Sequence, residues 1–117
     1  MAGTEPHEDY LYYREVHLAP YQHLREFFDI PNRAGIYKVT LFSDSLGPLT
    51  FAVFRVSKED DVETLVRQER SYNINNHEFQ ATFNNLQDTD DLLVGITNSN
   101  PFWIADVSVI VVEVTDP

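Results

Sequence analysis

The sequence predicts an all-β domain in which antiparallel strands form a sandwich or a barrel. Seven or eight short apolar or alternating segments recur at intervals of roughly 10–15 residues, and turn-forming residues separate most of them. Aromatic residues make up 13% of the chain. Aromatic and β-branched side chains pack well on a pleated, half-buried surface, so this composition also favours strands.

Four strands are predicted in the first half of the chain. The first covers residues 10–18. The second covers residues 21–30, where helical spacing also fits, but Pro20 and Pro31 leave little room for a helix. The third and fourth strands, residues 36–42 and 49–56, alternate clearly and are expected to form a hairpin with a loop of about six residues.

Residues 62–74 are ambiguous between a helix and a strand. Asp61 could cap a helix that buries Val62, Leu65 and Val66, whereas a strand would continue a meander from the preceding hairpin. We expect a strand here, and further strands at residues 77–83, 92–97 and 102–114. The expected core comprises Tyr37, Val39, Leu41, Phe51, Val53, Phe79, Ala81, Phe83, Val107 and Val109.

Length and composition indicate one domain. A chain of 117 residues has the usual size of a domain and buries enough surface to fold without disulfides or metals. Residues 1–9 are polar and acidic, and we expect them to form a flexible leader before a single domain at residues 10–117. The sequence contains no cysteine, which excludes disulfides, thiolate metal sites and cysteine nucleophiles.

The net charge of −11 restricts the expected partners. An acidic surface favours a soluble protein, repels phosphate backbones and anionic membranes, and suits cations, basic partners or neutral sugars. The N-terminus lacks the basic start and apolar run of a signal peptide, and no apolar stretch approaches the roughly 20 residues of a membrane helix. We therefore expect no nucleic acid partner and no membrane insertion, and a cytoplasmic location is favoured.

Two segments resemble parts of carbohydrate-binding jelly-roll modules. Residues 34–39, Ala-Gly-Ile-Tyr-Lys-Val, are similar to an opening strand with the pattern AG-x-Y-x-V. Residues 98–111 are similar to the final loop and strand of such modules, and the resemblance extends over residues 34–114. It implies a single antiparallel β-sandwich of the jelly-roll type, a fold that often binds sugar and is often stabilised by calcium.

Polar and aromatic residues cluster in two loops that are candidate carbohydrate sites. The candidates are Asn98, Asn100 and Trp103 in one loop, and Tyr72, Asn75 and His77 in another. Sugars stack on aromatic rings and form hydrogen bonds with amides. Because Pro101 keeps Asn100 extended, the Asn98 and Asn100 amides are expected to point outward beside an indole at the end of the sandwich. The structural alternative is that the asparagines serve turn geometry and that Trp103 closes the end of the core.

The acidic loop at residues 88–91 is a candidate calcium site. Hard cations bind several carboxylate and carbonyl oxygens together, and Asp88, Asp90 and Asp91 supply carboxylates at suitable spacing. The EF-hand pattern is absent, because the loop lacks the central glycine and the glutamate at the twelfth position. Short acidic loops of this kind are more often plain turns.

The sequence favours a non-catalytic binding module with carbohydrate as the leading ligand. The alternative is a structural or assembly protein that forms homo-oligomers through its β-sheets, which the apolar run at residues 110–114 supports. An enzyme is the least favoured class. The four histidines are scattered without metal-ligand spacing, and neither a GxSxG elbow nor a glycine-rich phosphate loop is present.

Overall fold

The computed structural model describes residues 7–29, 35–72, 76–85 and 90–115, and within these ranges it contains eight strands and no helix. The strands are β1 (His7–Leu18), β2 (His23–Phe28), β3 (Gly35–Ser43), β4 (Leu49–Ser57), β5 (Glu63–Ser71), β6 (His77–Asn85), β7 (Asp90–Asn98) and β8 (Ala105–Thr115). The all-β prediction is confirmed, and the two ambiguous segments contain the strands β2 and β5, as expected.

The eight strands form two antiparallel sheets of four strands each. In sheet A the order is β1-β8-β3-β6, and in sheet B it is β2-β7-β4-β5. Strands that follow one another in the chain mostly lie in opposite sheets, so the connections cross repeatedly from one sheet to the other. This arrangement of two interlocked four-stranded sheets is a jelly roll, which confirms the predicted fold class.

The predicted hairpin between the third and fourth strands is wrong. β3 lies in sheet A and β4 in sheet B, so the loop at residues 44–48 crosses between the sheets. The strand pair that is adjacent in the chain is β4 with β5. Alternation identifies each strand, but it does not determine which neighbour the strand pairs with, since a loop of this length also allows a crossing.

The core lies between the sheets and contains all ten residues predicted for it. Strand β6 shows the pattern most clearly, because buried and exposed positions alternate along its whole length. β8 is an inner strand, between β1 and β3, and the second half of its sequence is apolar on both faces. Val112, on the outer face of sheet A, is buried within the chain itself.

β1 begins earlier than the sequence pattern indicates. It starts at His7, inside the segment for which we expected a leader, and it pairs with β8 from that residue onward. Residues 1–6 lie outside the described part of the chain. The expected leader before a single domain stays a prediction.

Arginine side chains cover the core at both open sides of the sandwich. Between β1 and β2, the Arg14 guanidinium lies 4.4 Å from the centroid of the Phe28 ring. Between β5 and β6, the Arg67 guanidinium lies 5.1 Å from the Phe79 ring, and its Nη1 donates to the Gln80 carbonyl oxygen at 2.6 Å. A guanidinium stacks on a ring while its edge remains hydrated, so each arginine closes the core without burying its charge.

Candidate functional site

The loop between β7 and β8 is organised by Asn98, whose side chain is 0% exposed. Its Nδ2 donates to the carbonyl oxygens of Leu18, Ala19 and Trp103 at 3.2, 3.2 and 2.9 Å. Its Oδ1 accepts the backbone N–H of Asn100 at 3.1 Å. This one amide therefore ties the end of β7 to the turn after β1 and to the start of β8.

Asn100 has a similar role on the other side of the loop. Its side chain is 1% exposed, and its Nδ2 donates to the Leu46 carbonyl oxygen at 2.9 Å. Its Oδ1 accepts the N–H groups of Phe102 and Trp103 at 2.7 and 3.3 Å. The prediction that the two asparagine amides point outward is therefore wrong: they satisfy buried backbone groups, which would otherwise be costly to leave unpaired.

Trp103 lies on the surface of this loop. It is 50% exposed, and its ring meets the exposed Phe102 ring edge-on, with 5.7 Å between the centroids. The following residue, Ile104, is exposed as well. The indole is accessible, so it does not close the end of the core. The two asparagine amides beside it are hydrogen-bonded to the backbone. Trp103 as a ligand contact stays a prediction.

The second predicted cluster is divided between surface and interior. Tyr72 is exposed, and Asn75 lies outside the described residues. His77 is buried, with Nε2 3.0 Å from the Ser45 carbonyl oxygen and Nδ1 2.7 Å from the Ser71 Oγ. Since a carbonyl oxygen only accepts, Nε2 donates to Ser45, and Nδ1 shares a hydrogen bond with the Ser71 hydroxyl. The imidazole is thus held as a structural group.

The predicted calcium ligands are engaged with cations of the chain where the structure describes them. Asp90 Oδ2 accepts from Arg55 Nε at 2.8 Å, and Asp91 Oδ1 lies 3.8 Å from Lys58 Nζ. Asp88 lies outside the described residues. In the described ranges there is no group of three or more histidines and carboxylates that could hold a metal ion. The calcium site stays a prediction without a described ligand set.

A cleft of about 520 Å³ opens on the outer face of sheet A, where β1 and β3 end and β8 begins. Its volume is in the range of small-molecule sites. The register aligns Glu15, Ser108 and Phe42 side by side on β1, β8 and β3. The lining includes Glu15, His17, Phe42, Asp44, Asp106 and Ser108. We call this region the sheet A cleft.

A second depression of about 190 Å³ lies on the same face of sheet A. Phe42 lines both depressions and is 41% exposed, so its ring forms a ridge between them. Tyr10 lines the smaller depression, and it is exposed, as is Tyr13 on the same strand. The Tyr13 hydroxyl donates to Glu15 Oε1 at 2.9 Å, which links this ring to the lining of the larger cleft.

The sheet A cleft is acidic. Its described lining contains three carboxylates, of Glu15, Asp44 and Asp106, and no lysine or arginine. The Asp106 carboxylate is in contact with His17 Nδ1, and farther along the face Lys38 forms an ion pair with Glu8. Such a lining repels anionic ligands and offers hydrogen-bond acceptors to neutral or cationic ones.

Among the predicted ligand-site residues that the structure describes, His77 is the one that lines this cleft. The other lining residues were missed because they come from strands that are far apart in the chain. The available signal was the run of outward positions Tyr13, Glu15 and His17, in which an aromatic ring, a carboxylate and an imidazole alternate with half-buried positions. That signal identifies one strand of the site and not the others.

In the described part of the chain, no helix has the length and apolar character that crossing a membrane requires. No protein-family model matches the sequence, and no curated protein matches it either. The similarity of this chain to known proteins is therefore one of three-dimensional structure.

The most similar solved structures include proteins of different kinds. A mitogen derived from Yersinia pseudotuberculosis has a TM-score of 0.61 at 10% identity, over 97% of this chain and 88% of that chain. A chain of the cowpea mosaic virus empty virus-like particle has a TM-score of 0.56 at 12% identity, over 95% of this chain and 82% of that chain. This chain spans about half, 51%, of a chain from the naturally occurring empty particle of the same virus.

A structure that contains a carbohydrate is less similar. The CBM22-1 and GH10 modules of a Clostridium thermocellum endo-1,4-beta-D-xylanase, complexed with xylohexaose, have a TM-score of 0.43 at 17% identity. The match covers 71% of this chain and 17% of that chain, and it is too distant to support an argument about binding. At these identities the likeness establishes the fold alone. The jelly-roll resemblance stated from residues 34–39 and 98–111 is confirmed at that level.

Proposed function

We propose that this protein is a non-catalytic binding module whose sheet A cleft binds a neutral oligosaccharide. The observation that carries the proposal is the half-exposed Phe42 ring, placed between two depressions that are lined by carboxylates, hydroxyl groups and an imidazole. A sugar ring has an apolar face, which stacks on an aromatic ring, and a hydroxyl rim, which needs hydrogen-bond partners. Both requirements are met on this face of the sheet.

The chemistry of the lining favours a neutral ligand. Sugar hydroxyls donate well to carboxylates, so Glu15 and Asp106 serve as acceptors around a ring that is stacked on Phe42. The negative charge of the cleft disfavours sulfated or uronic-acid sugars. We therefore expect neutral oligosaccharides to bind and anionic ones to bind poorly.

The two depressions favour a chain over a single sugar. Residues 10 to 17 of β1 span about 23 Å at a rise of about 3.3 Å per residue, and this strand runs past both depressions. A linear oligosaccharide that lies along the strands contacts Phe42 in the middle and polar groups on both sides of it. We expect affinity to rise from the monosaccharide to the hexasaccharide.

The test is a glycan array probed with the purified chain, followed by calorimetric titration with cellohexaose, xylohexaose and any neutral glycan that the array identifies. Phe42→Ala is expected to weaken binding about tenfold, the equivalent of about 1.4 kcal/mol for the loss of one stacked ring. Phe27→Ala is the matched control, because Phe27 is also a half-exposed phenylalanine and lies on the opposite sheet.

Two further arms separate this site from the sites predicted from the sequence. Trp103→Ala removes the exposed indole of the β7–β8 loop, and it should leave binding unchanged if the sheet A cleft is the site. The array is run with calcium and with a chelator, which tests the prediction for Asp88, Asp90 and Asp91. If no neutral glycan binds, or if Phe42→Ala and Phe27→Ala behave alike, the proposal is wrong.

A further inference from the structure

A row of apolar side chains crosses the outer face of sheet B. The register pairs Phe27 of β2 with Leu93 of β7, Leu93 with Phe54 of β4, and Phe54 with Leu65 of β5. The neighbouring residues in each strand face the core, so these four point away from it. Phe27 and Leu65, at the two edges, are 52% and 49% exposed, whereas Leu93 is fully buried and Phe54 is half-buried between them. We call these four residues the sheet B row.

Charges of opposite sign lie on the two sides of the sheet B row. Arg25 and Arg70 are on one side, because Arg25 is two residues before Phe27 and Arg70 pairs with Thr50 on β4. Asp29 and Glu63 are on the other side, since Asp29 directly follows the end of β2 and Glu63 pairs with Val56 on β4. Arg25 Nη2 lies 2.5 Å from Glu63 Oε2, so one ion pair within the chain spans the row.

We infer that this face binds a second copy of the chain in a symmetric dimer. A two-fold axis along the sheet B row lays the row of one copy on the row of the other and reverses the strand direction. The basic side of each copy then faces the acidic side of its partner, and Arg25 lies opposite Asp29 of the partner subunit. An axis parallel to the strands would instead bring like charges together, so the charge pattern selects the first arrangement.

The size of the face indicates a weak dimer. Four strands at about 4.8 Å spacing and about 25 Å of strand length give roughly 500 Å² per copy, or on the order of 1,000 Å² in total. That area is at the lower end for specific interfaces. The net charge of −11 on each copy adds a general repulsion. The dimer is therefore concentration-dependent.

The sheet A cleft faces away from this interface, since the two sheets present opposite outer faces. A dimer carries its two clefts on its two outer sides, where a pair of polysaccharide chains can be bound at once. The dimer does not depend on the proposed function, because no residue of the sheet B row lines the cleft.

Equilibrium sedimentation of the purified chain over a wide range of concentration tests the inference. We expect a monomer–dimer equilibrium in the wild type and in Phe42→Ala. In Phe27→Asp/Leu65→Asp we expect a monomer at every concentration, with a far-UV circular dichroism spectrum like that of the wild type. The same double variant should retain oligosaccharide binding, so failure of the dimer and failure of the proposed function are distinguishable.

A charge exchange tests the orientation of the two copies. Arg25→Asp should raise the dimer Kd at least tenfold, and Arg25→Asp/Asp29→Arg should restore it. Loss of the Arg25–Glu63 ion pair within one chain is not repaired by the second change, so restoration reports the contact between copies. A wild type that stays monomeric overturns the inference. So does a monomer that binds phosphatidylcholine vesicles through Phe27, which would assign this face to lipid, or a dimer that survives Phe27→Asp/Leu65→Asp.

Discussion

Asn98→Asp changes one side-chain NH2 group to an oxygen and keeps the shape of the side chain. In the native protein that NH2 group faces the carbonyl oxygens of Leu18, Ala19 and Trp103 at 2.9 to 3.2 Å. A carboxylate oxygen at the same place is a hydrogen-bond acceptor that faces three carbonyl oxygens, which also only accept. It also carries negative charge inside a buried site. The substitution therefore removes the hydrogen bonds and replaces them with repulsion.

The size of the effect follows from the number of bonds lost. An NH2 group has two hydrogens, so at most two of the three contacts are full hydrogen bonds at one time. Each buried acceptor that loses its donor costs about 1–3 kcal/mol. We expect Asn98→Asp to lower the free energy of unfolding by about 4 kcal/mol, which for a domain of this size lowers the melting temperature by roughly 15 °C.

Urea unfolding followed by far-UV circular dichroism measures this free energy. Asn84→Asp is the matched control, because Asn84 is exposed on β6 and the chemical change is the same. The control should change stability by less than about 0.5 kcal/mol. A loss below about 1 kcal/mol in Asn98→Asp, comparable with the control, would show that Asn98 does not hold the β7–β8 loop and would refute the reasoning.

The remaining predictions concern two glycines and the tryptophan. Gly47 has a φ of 86°, and a Cβ there would collide with the Asn100 side chain; Gly47→Ala should cost about 3 kcal/mol in urea unfolding. Gly95→Ala should stay within about 0.5 kcal/mol of the wild type, because its Cβ would meet no atom closer than 3.7 Å; equal losses in both variants would contradict this account. Trp103 is the single tryptophan of the chain and is half-exposed, so its fluorescence should be quenched by acrylamide. Trp103→Ala should cost less than about 1 kcal/mol, and a core-sized loss of about 3–5 kcal/mol would show that the indole is buried after all.

Local alternation was sufficient to predict the strands and the core. In the middle of β6 and of β3 every second residue is apolar, and a strand places such residues on one face regardless of what the rest of the chain does. The core residues Phe51 and Phe79 could therefore be assigned from their own segments. Strand pairing depends on distant segments, which explains why the expected β3–β4 hairpin was wrong although both strands were located.

The candidate site was less predictable than the fold for the same physical reason. Glu15, Phe42 and Ser108 are neighbours because the register of three strands aligns them. No local pattern in the sequence contains that register. The loop asparagines were recognised as special, but the direction of an amide is set by the carbonyl groups it meets. Those of Leu18 and Leu46 belong to the end of β1 and to the loop between β3 and β4.

The pairing of β1 with β8 has a consequence for how the chain folds. Among the described strands, β4 and β5 form the one pair of sequence neighbours, whereas sheet A requires β8 between β1 and β3. Closing such long loops is slow, so we infer folding in milliseconds to seconds with the β4–β5 pair forming early. On the ribosome, β1 stays unpaired until β8 has emerged, and truncation before residue 105 leaves β1 without a partner. The unpaired, aromatic-rich β1 is then the segment most exposed to association with other chains during synthesis.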